Sequence, residues 1–300
     1  MTIRRIAKVF KSRPTIEGAG VHLKRAFGYS QVPQFDPFLM LDDFHTSNPD
    51  EYLSGFPWHP HRGIETITYV LEGLVEHGDS MGNAGVIGAG DVQWMTAGSG
   101  IIHQEMPKES PTGTMWGFQF WANLPANQKM MPPRYREVKA ADIPEIALEN
   151  GVKVKVVAGE VAGVRGPVRD IVIEPAMLDI TVPPGTVFSH AAPVGHTLFV
   201  YVLEGASYFD DCRDAYAYEV VGHGWSDVER RCICEHETVV LFERSGDTVQ
   251  VTTAEQPVRF LLVSGKPLNE PVAWYGPIVM NTQEELRVAF EEFKNGTFIK

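Results

Sequence analysis

Residues 66–79 read TITYVLEGLVEHGD, and residues 197–211 read TLFVYVLEGASYFDD. Further on in each half, GAGDVQWMTAG at 88–98 is answered by RSGDTVQVTTAE at 244–255. A strand, a Leu-Glu-Gly turn, a strand, a Gly-Asp turn and another strand thus occur twice in one chain. That duplication predicts two similar β-barrel units. The expected division is 1–130 and 131–300, set in the polar stretch 128–151, where Pro132, Pro133 and Pro144 interrupt strand patterning.

The rest of the chain agrees with an all-β class. Short runs rich in Val, Ile, Thr and aromatics stand between Gly and Pro residues, at 65–72, 85–95, 115–122, 152–157, 178–182, 197–203, 237–242 and 259–263. Helical spacing is confined to the end, where Thr282 and Glu285 suggest a capping box. There Leu286, Ala289, Phe290 and Phe293 share a predicted face and Gly296 is a stop signal. The N-terminus reads as a strand alternating around Ile3, Ile6, Val9 and Phe10, with solvated basic residues between. It lacks the apolar stretch of a secretory signal, and no run reaches the length of a membrane span.

Composition narrows the function classes. With 26 Lys and Arg against 38 Asp and Glu, the formal charge is −12, which opposes direct binding to nucleic acid or an anionic membrane. The cysteines Cys212, Cys232 and Cys234 are too few for a disulfide framework and lack paired C-x-x-C spacing, so a reducing cytoplasm is expected. The stretch 210–236 is an insertion in the second copy.

Chemistry concentrates in His59-Pro60-His61 and His103-Gln104-Glu105. In each motif the two ligand-type residues are spaced i, i+2, so on an extended strand both point to one face. Were the two segments neighbours in a barrel, three imidazoles and a carboxylate would converge on a metal ion. Such N/O donors suit iron, zinc, manganese, nickel or copper and are too nitrogen-rich for calcium or magnesium. His22, His45, His77, His223 and His236 lack the pattern and read as surface or core polar groups. The second copy offers only His190 and His196, without H-x-H or H-x-E, and is expected to be metal-free.

The full arrangement G-x3-H-x-H-x3-E-x7-G (55–73) and G-D-x-Q-W-M-T-A-G-x-G-I-x-H-x-E (90–105) resembles the pirin family of the cupin superfamily. So do FDPFLMLDDF (35–44) and PLNEPVAWYGPIVMNTQEEL (267–286), which extends the likeness over nearly the whole chain. The resemblance implies two cupin (jelly-roll) barrels with a short C-terminal helix. It also implies one metal ion per chain, Fe(II) first, on His59, His61, His103 and Glu105. Glu65 would then orient an imidazole from behind rather than ligate. Asp42 and Arg62 belong to family-like motifs and would rim the pocket or else form a surface ion pair; Phe56, Trp94, Met95 and Gln119 would line the cavity or else be plain core.

The activity implied is that of a quercetin 2,3-dioxygenase, opening a flavonol with O2 and releasing CO, with Glu105 as the base. An alternative is a non-enzymatic pirin-like regulator, with a protein partner and bound iron as a structural or redox switch. A zinc cupin isomerase is a third reading, weakened because no basic cluster near the motif offers a phosphate clamp.

Overall fold

Every residue from Ile64 to Val70 in the strand Ile64–Glu72 is buried, as an Ile/Thr/Tyr/Val-rich run covered on both faces requires. The computed structural model in which this strand is seen describes residues 1–210, the strand backbones 218–220 and 228–230, and residues 233–300. Ile64–Glu72 is central in a seven-stranded antiparallel sheet. Its order is Arg134–Val138, Val92–Thr96, Ile64–Glu72, Met115–Asn123, Phe38–Thr46, Val21–Phe27, Arg13–Glu17. A four-stranded sheet runs Phe56–His61, Ile101–Lys108, Leu74–Asp79, Ala84–Ile87. Hydrogen bonds from Thr68 to Glu105 and from Gln93 to His77 join the inner faces of the two sheets, which form a β-barrel.

The chain divides into two units that interleave along the sequence. The unit just described comprises Ser12–Ile143, Pro167–Glu174 and Pro267–Lys300. The other comprises Met1–Lys11, Pro144–Gly166 and Pro175–Lys266. A single cut at residue 130 is a simpler division than this one. The polar stretch 128–151, in which that cut was set, holds the strand Arg134–Val138, which pairs with Val92–Thr96. As a half-buried edge strand it has only Val138 fully buried, so its apolar signal is faint.

In the second unit the strand order is Ile6–Lys11, Thr238–Phe242, Thr197–Tyr208, Val258–Gly265, Ala176–Val182, Lys153–Ala158, Glu145–Ala147. Val187–Ala191 pairs with Thr248–Thr252 beside them. Alternate positions such as Leu178, Ile180 and Val182, or Leu198, Val200 and Val202, make an aliphatic core. The N-terminal strand departs from its expected pattern. Val9 is exposed, while Arg4 is wholly buried and donates to the carbonyls of Pro193, His196 and Glu243. Those carbonyls offset its desolvation, so a basic residue is not solvated there. The insertion 210–236, with Cys212, Cys232 and His223, falls largely outside the described residues.

The tail contributes the hairpin Ala273–Tyr275/Ile278–Met280 and the helix Gln283–Lys294. Thr282 and Glu285 form the expected reciprocal cap. At the far end Thr297 N–H donates to Glu292 O and Gly296 N–H to Phe293 O, a Schellman motif that needs the left-handed Gly296 (φ +72°). Leu286 and Ala289 are buried with Ala273, Ile278, Met280 and Phe298, and Phe290 packs on them half-buried. Phe293 is 42% exposed, so the apolar face is narrower than its spacing predicts. No helix among the described residues is long and apolar enough to cross a membrane.

Candidate metal centre

Antiparallel pairing places His103 opposite His59 and Ile101 opposite His61. The i, i+2 spacing then turns His59, His61 and His103 into the barrel together. Their ring nitrogens include one donor from each residue, all within 4.8 Å of one another. The protons of two rings are placed by backbone carbonyls. His59 Nδ1–H donates to Pro57 O at 2.8 Å, and His61 Nδ1–H donates to Pro277 O at 3.0 Å. Burial holds all three imidazoles below the ordinary histidine pKa, His61 and His103 well below, so they are neutral at pH 7.

Neutral rings with Nδ1 protonated bring lone pairs on Nε2. His59 Nε2 and His61 Nε2 face each other at 3.1 Å, an arrangement that no hydrogen bond satisfies without a further proton. His103 is fully buried and neither of its ring nitrogens has a hydrogen-bond partner. A buried acceptor left unpaired costs about 1–3 kcal/mol. A transition-metal cation satisfies these lone pairs at once, so the donor set fits the implied metal.

Glu105 lies two residues beyond His103 on the same strand face and is buried. Desolvation pushes its carboxyl up to about 7, opposed by the Thr68 hydroxyl, which donates to Oε1 at 2.7 Å. Thr68 Oγ1 also lies 2.8 Å from Gln119 Oε1. One hydroxyl hydrogen serves only one oxygen; a proton on Glu105, or the Gln119 amide turned to present its NH2, serves the other. These residues belong to a polar row across five strands, with Arg25, Asp42, Gln119, Thr68 and Gln93 successive register partners. Arg25 grips Asp42 through two bonds of 2.8 and 2.7 Å, so the carboxylate is a buried ion pair in the cavity wall rather than a surface one. Gln93 continues the row by donating to His77 Nδ1, whose Nε2–H reaches Asp79. With both nitrogens engaged, His77 is the core polar group its sequence context suggests.

The centre opens into a cavity of about 530 Å³, within the range of about 300–1,000 Å³ usual for small-molecule sites. His59, His61, Glu105 and Gln119 stand at its polar end, and Phe44, Phe56, Trp121 and Trp274 form much of the wall. Phe56 and Gln119 line this cavity.

Other candidate residues do not. Glu65 makes no contact with an imidazole; it accepts from Thr96 Oγ1 at 2.7 Å and Trp94 Nε1 at 3.1 Å. Thr68, three positions on, faces the barrel interior, so strand alternation turns Glu65 outward. Trp94 follows Glu65 on that outer face, and Met95 packs with Leu39, Ile64 and Ile101 in core. Arg62 follows the inward His61 and so points away from the cavity. It is buried, donating to Ser99 O, Phe298 O and Glu292. Residue types did not reveal Arg25, Glu17, Trp121, Trp274 and Pro277 as pocket residues. The motif AWYGP was visible, but nothing local says that it closes a cavity more than 200 residues upstream. Thr68 could have been found by counting alternate positions along its strand.

Two cupin-type β-barrels, with an imidazole-rich pocket in the first, define the class: a bicupin with one candidate metal centre among the described residues. The model of the Pirin family matches residues 20–122, and that of the Pirin C-terminal cupin domain matches residues 177–299. The chain belongs to the pirin family. A pirin-like protein of Caulobacter vibrioides is 42% identical to it, over 99% of this chain and 100% of that one. The crystal structure of a quercetin 2,3-dioxygenase from Acinetobacter baumannii superposes with a TM-score of 0.85 at 34% identity, covering 99% of this chain and 98% of that one. The Escherichia coli pirin YhhW in complex with nickel(II) shares the fold, with a TM-score of 0.60 at 20% identity, covering 87% of this chain and 100% of that one.

Proposed function

We propose that this protein is a metal-dependent dioxygenase that opens the heterocycle of a flavonol such as quercetin. Both atoms of O2 enter the depside product, and one ring carbon leaves as CO. The observation that carries this reading is the cluster of three neutral imidazoles, His59, His61 and His103, beside an aromatic-walled cavity. The buried Glu105 also lines that cavity, although its carboxylate is not part of the three-histidine cluster. The likeness to the Acinetobacter structure supports it. His59, His61, His103 and Glu105 would hold the ion, Fe(II) on this reading. When bound, the metal supplies a redox-active cation that acidifies a substrate hydroxyl and assists electron flow from substrate to O2.

On this reading Glu105 takes the flavonol 3-hydroxyl proton. Burial raises its pKa in the metal-free site, a bound cation would lower it, and the carboxylate would have to loosen from the metal to act as the base. Thr68 holds that carboxylate in place by donating to it. Trp121, Trp274, Phe44 and Phe56 offer flat apolar surface for planar rings and exclude water from the polar end. The buried free thiol of Cys234 suits a reducing, cytoplasmic setting.

The test begins with elemental analysis of the purified protein. One metal per chain is expected, lost in His59→Ala and His103→Ala and kept in His190→Ala. The iron-loaded protein is then mixed with quercetin without oxygen and exposed to O2. Turnover per bound iron should fall by about 10²–10⁴ in Glu105→Gln, whose amide still coordinates but accepts no proton. An unchanged value removes Glu105 as the base. Full iron without wild-type turnover favours the interaction protein instead.

A further inference from the structure

We propose that Pro277 is a positioning residue for the metal centre, and that docking of the C-terminal segment and metal binding are one coupled equilibrium. The inference rests on the reading of His59, His61 and His103 as metal ligands. Of the three rings, His59 is oriented locally, by the carbonyl of Pro57 two residues away. His61 is oriented by the carbonyl of Pro277, at the turn of the tail hairpin. That bond holds the proton on Nδ1 and aims the Nε2 lone pair at its neighbours. A partner of this kind behind a metal-binding imidazole sets both its tautomer and its direction.

The carbonyl is held by what surrounds it. Val279 N–H donates to Arg62 O at 3.1 Å, so the hairpin is stitched to the residue that follows His61. Gly63 has φ +78°, and a Cβ there would lie 2.0 Å from Val279 O, so glycine alone permits this approach. Lys129 Nζ is buried and donates to Gly63 O at 2.9 Å, Val279 O at 3.1 Å and Asn123 Oδ1 at 2.6 Å. On the other side of Gly63, the buried Arg62 donates to Phe298 O at 2.8 Å and Glu292 Oε2 at 2.7 Å, with its guanidinium 4.2 Å from the Phe298 ring.

The buried Arg62 guanidinium and the buried Lys129 amino group therefore direct hydrogen bonds at tail groups on both sides of the H-P-H-R-G segment. If the tail lifts, both lose partners and His61 loses its orienting carbonyl together. Arg62 would keep only Ser99 O, and Lys129 only Gly63 O and Asn123 Oδ1, so several donors lose acceptors in one event and release is cooperative rather than piecemeal. Trp274, on the same hairpin and 5.7 Å from Trp121, would leave the cavity wall in the same event. Because linkage is reciprocal, a metal that requires His61 in this orientation must favour the docked tail by the same factor that docking favours the metal.

The experiment is hydrogen exchange on the wild-type full chain, with and without saturating nickel(II), after nickel stoichiometry has been measured. Amides of 275–298 should slow on nickel binding by about tenfold or more, together with those of 59–63. Amides of Ala176–Val182, a buried strand of the second unit, should change far less. In Arg62→Met, nickel affinity by chelator competition should drop about 10–100-fold, the usual effect of removing support behind a ligand.

A merely structural Arg62 would lower stability and leave the affinity of the folded protein intact. If Arg62→Met does not fold, the wild-type exchange measurement still decides. Protection confined to 59–63 and 101–105, or full nickel affinity in Arg62→Met with fast-exchanging tail amides, overturns the coupling while leaving the metal site standing. A wild-type protein that binds no nickel, iron or other transition metal overturns the metal reading itself, and this inference with it.

Discussion

Thr68 donates to Glu105 across the barrel interior at 2.7 Å, from the centre of the large sheet to the strand that carries His103. This hydroxyl is the one protein hydrogen bond that lowers the carboxyl's raised pKa, against the stronger effect of burial. It links the candidate base to the polar row that ends at Arg25 and Asp42.

The first prediction concerns that link. Thr68→Val keeps the shape of the side chain and removes the donor. Metal content should remain near wild type, since three imidazoles are untouched, while turnover per bound metal should fall by about tenfold or more. Thr68→Ser should restore it. Equal turnover in Val and Ser variants would show that the hydroxyl does nothing for the carboxylate.

Glu65 separates a structural carboxylate from one serving the metal. Glu65→Ala leaves the Trp94 N–H and Thr96 O–H without their acceptor in a buried setting. The expected cost is about 2–4 kcal/mol, read as a shift in denaturant midpoint. Metal per folded chain should not change. A marked loss of metal from the folded variant would return Glu65 to the site.

The tail helix gives an ordering. Leu286→Ala, at a buried position, should cost about 2–5 kcal/mol. Phe290→Ala should cost less than the ~3–5 kcal/mol of a fully buried aromatic, because its ring is half-buried. Phe293→Ala should cost least. Denaturant midpoints of the three variants in one buffer test the sequence of effects.

A fourth prediction is a pH dependence in the second barrel. Burial pushes His190 down to about 4, below the ordinary value near 6.5. Above pH 6.5 the ring is neutral folded and unfolded, and its contribution is fully present. As pH falls from about 6.5 towards 4, the unfolded chain takes up a proton that the folded ring refuses, and stability is lost. At about 1.4 kcal/mol per unit, discounted because the ring is partly exposed, the loss approaches about 2 kcal/mol. The pH slope of wild-type stability should exceed that of His190→Gln over this window. Parallel slopes would exclude the histidine as its source.

What the sequence by itself determined is what strand and helix geometry makes local. Two-residue spacing put His59 with His61 and His103 with Glu105 on shared faces, because alternate side chains of an extended chain must point the same way. The Thr282–Glu285 cap and the Gly296 stop were equally legible, since their partners lie within one turn. The internal repeat carried the two-barrel architecture. Tertiary structure alone decided which distant faces meet. Strand register set His103 against His59 and lined up Arg25, Asp42, Gln119, Thr68 and Gln93, five residues from five separate strands. Packing sent Arg62 and Lys129 to the tail, and brought Pro277 to His61 and Trp274 to the cavity. The difference is physical. A side chain's direction follows from its own backbone and immediate neighbours, whereas its partner depends on how sheets pair, twist and close, which is a property of the whole barrel.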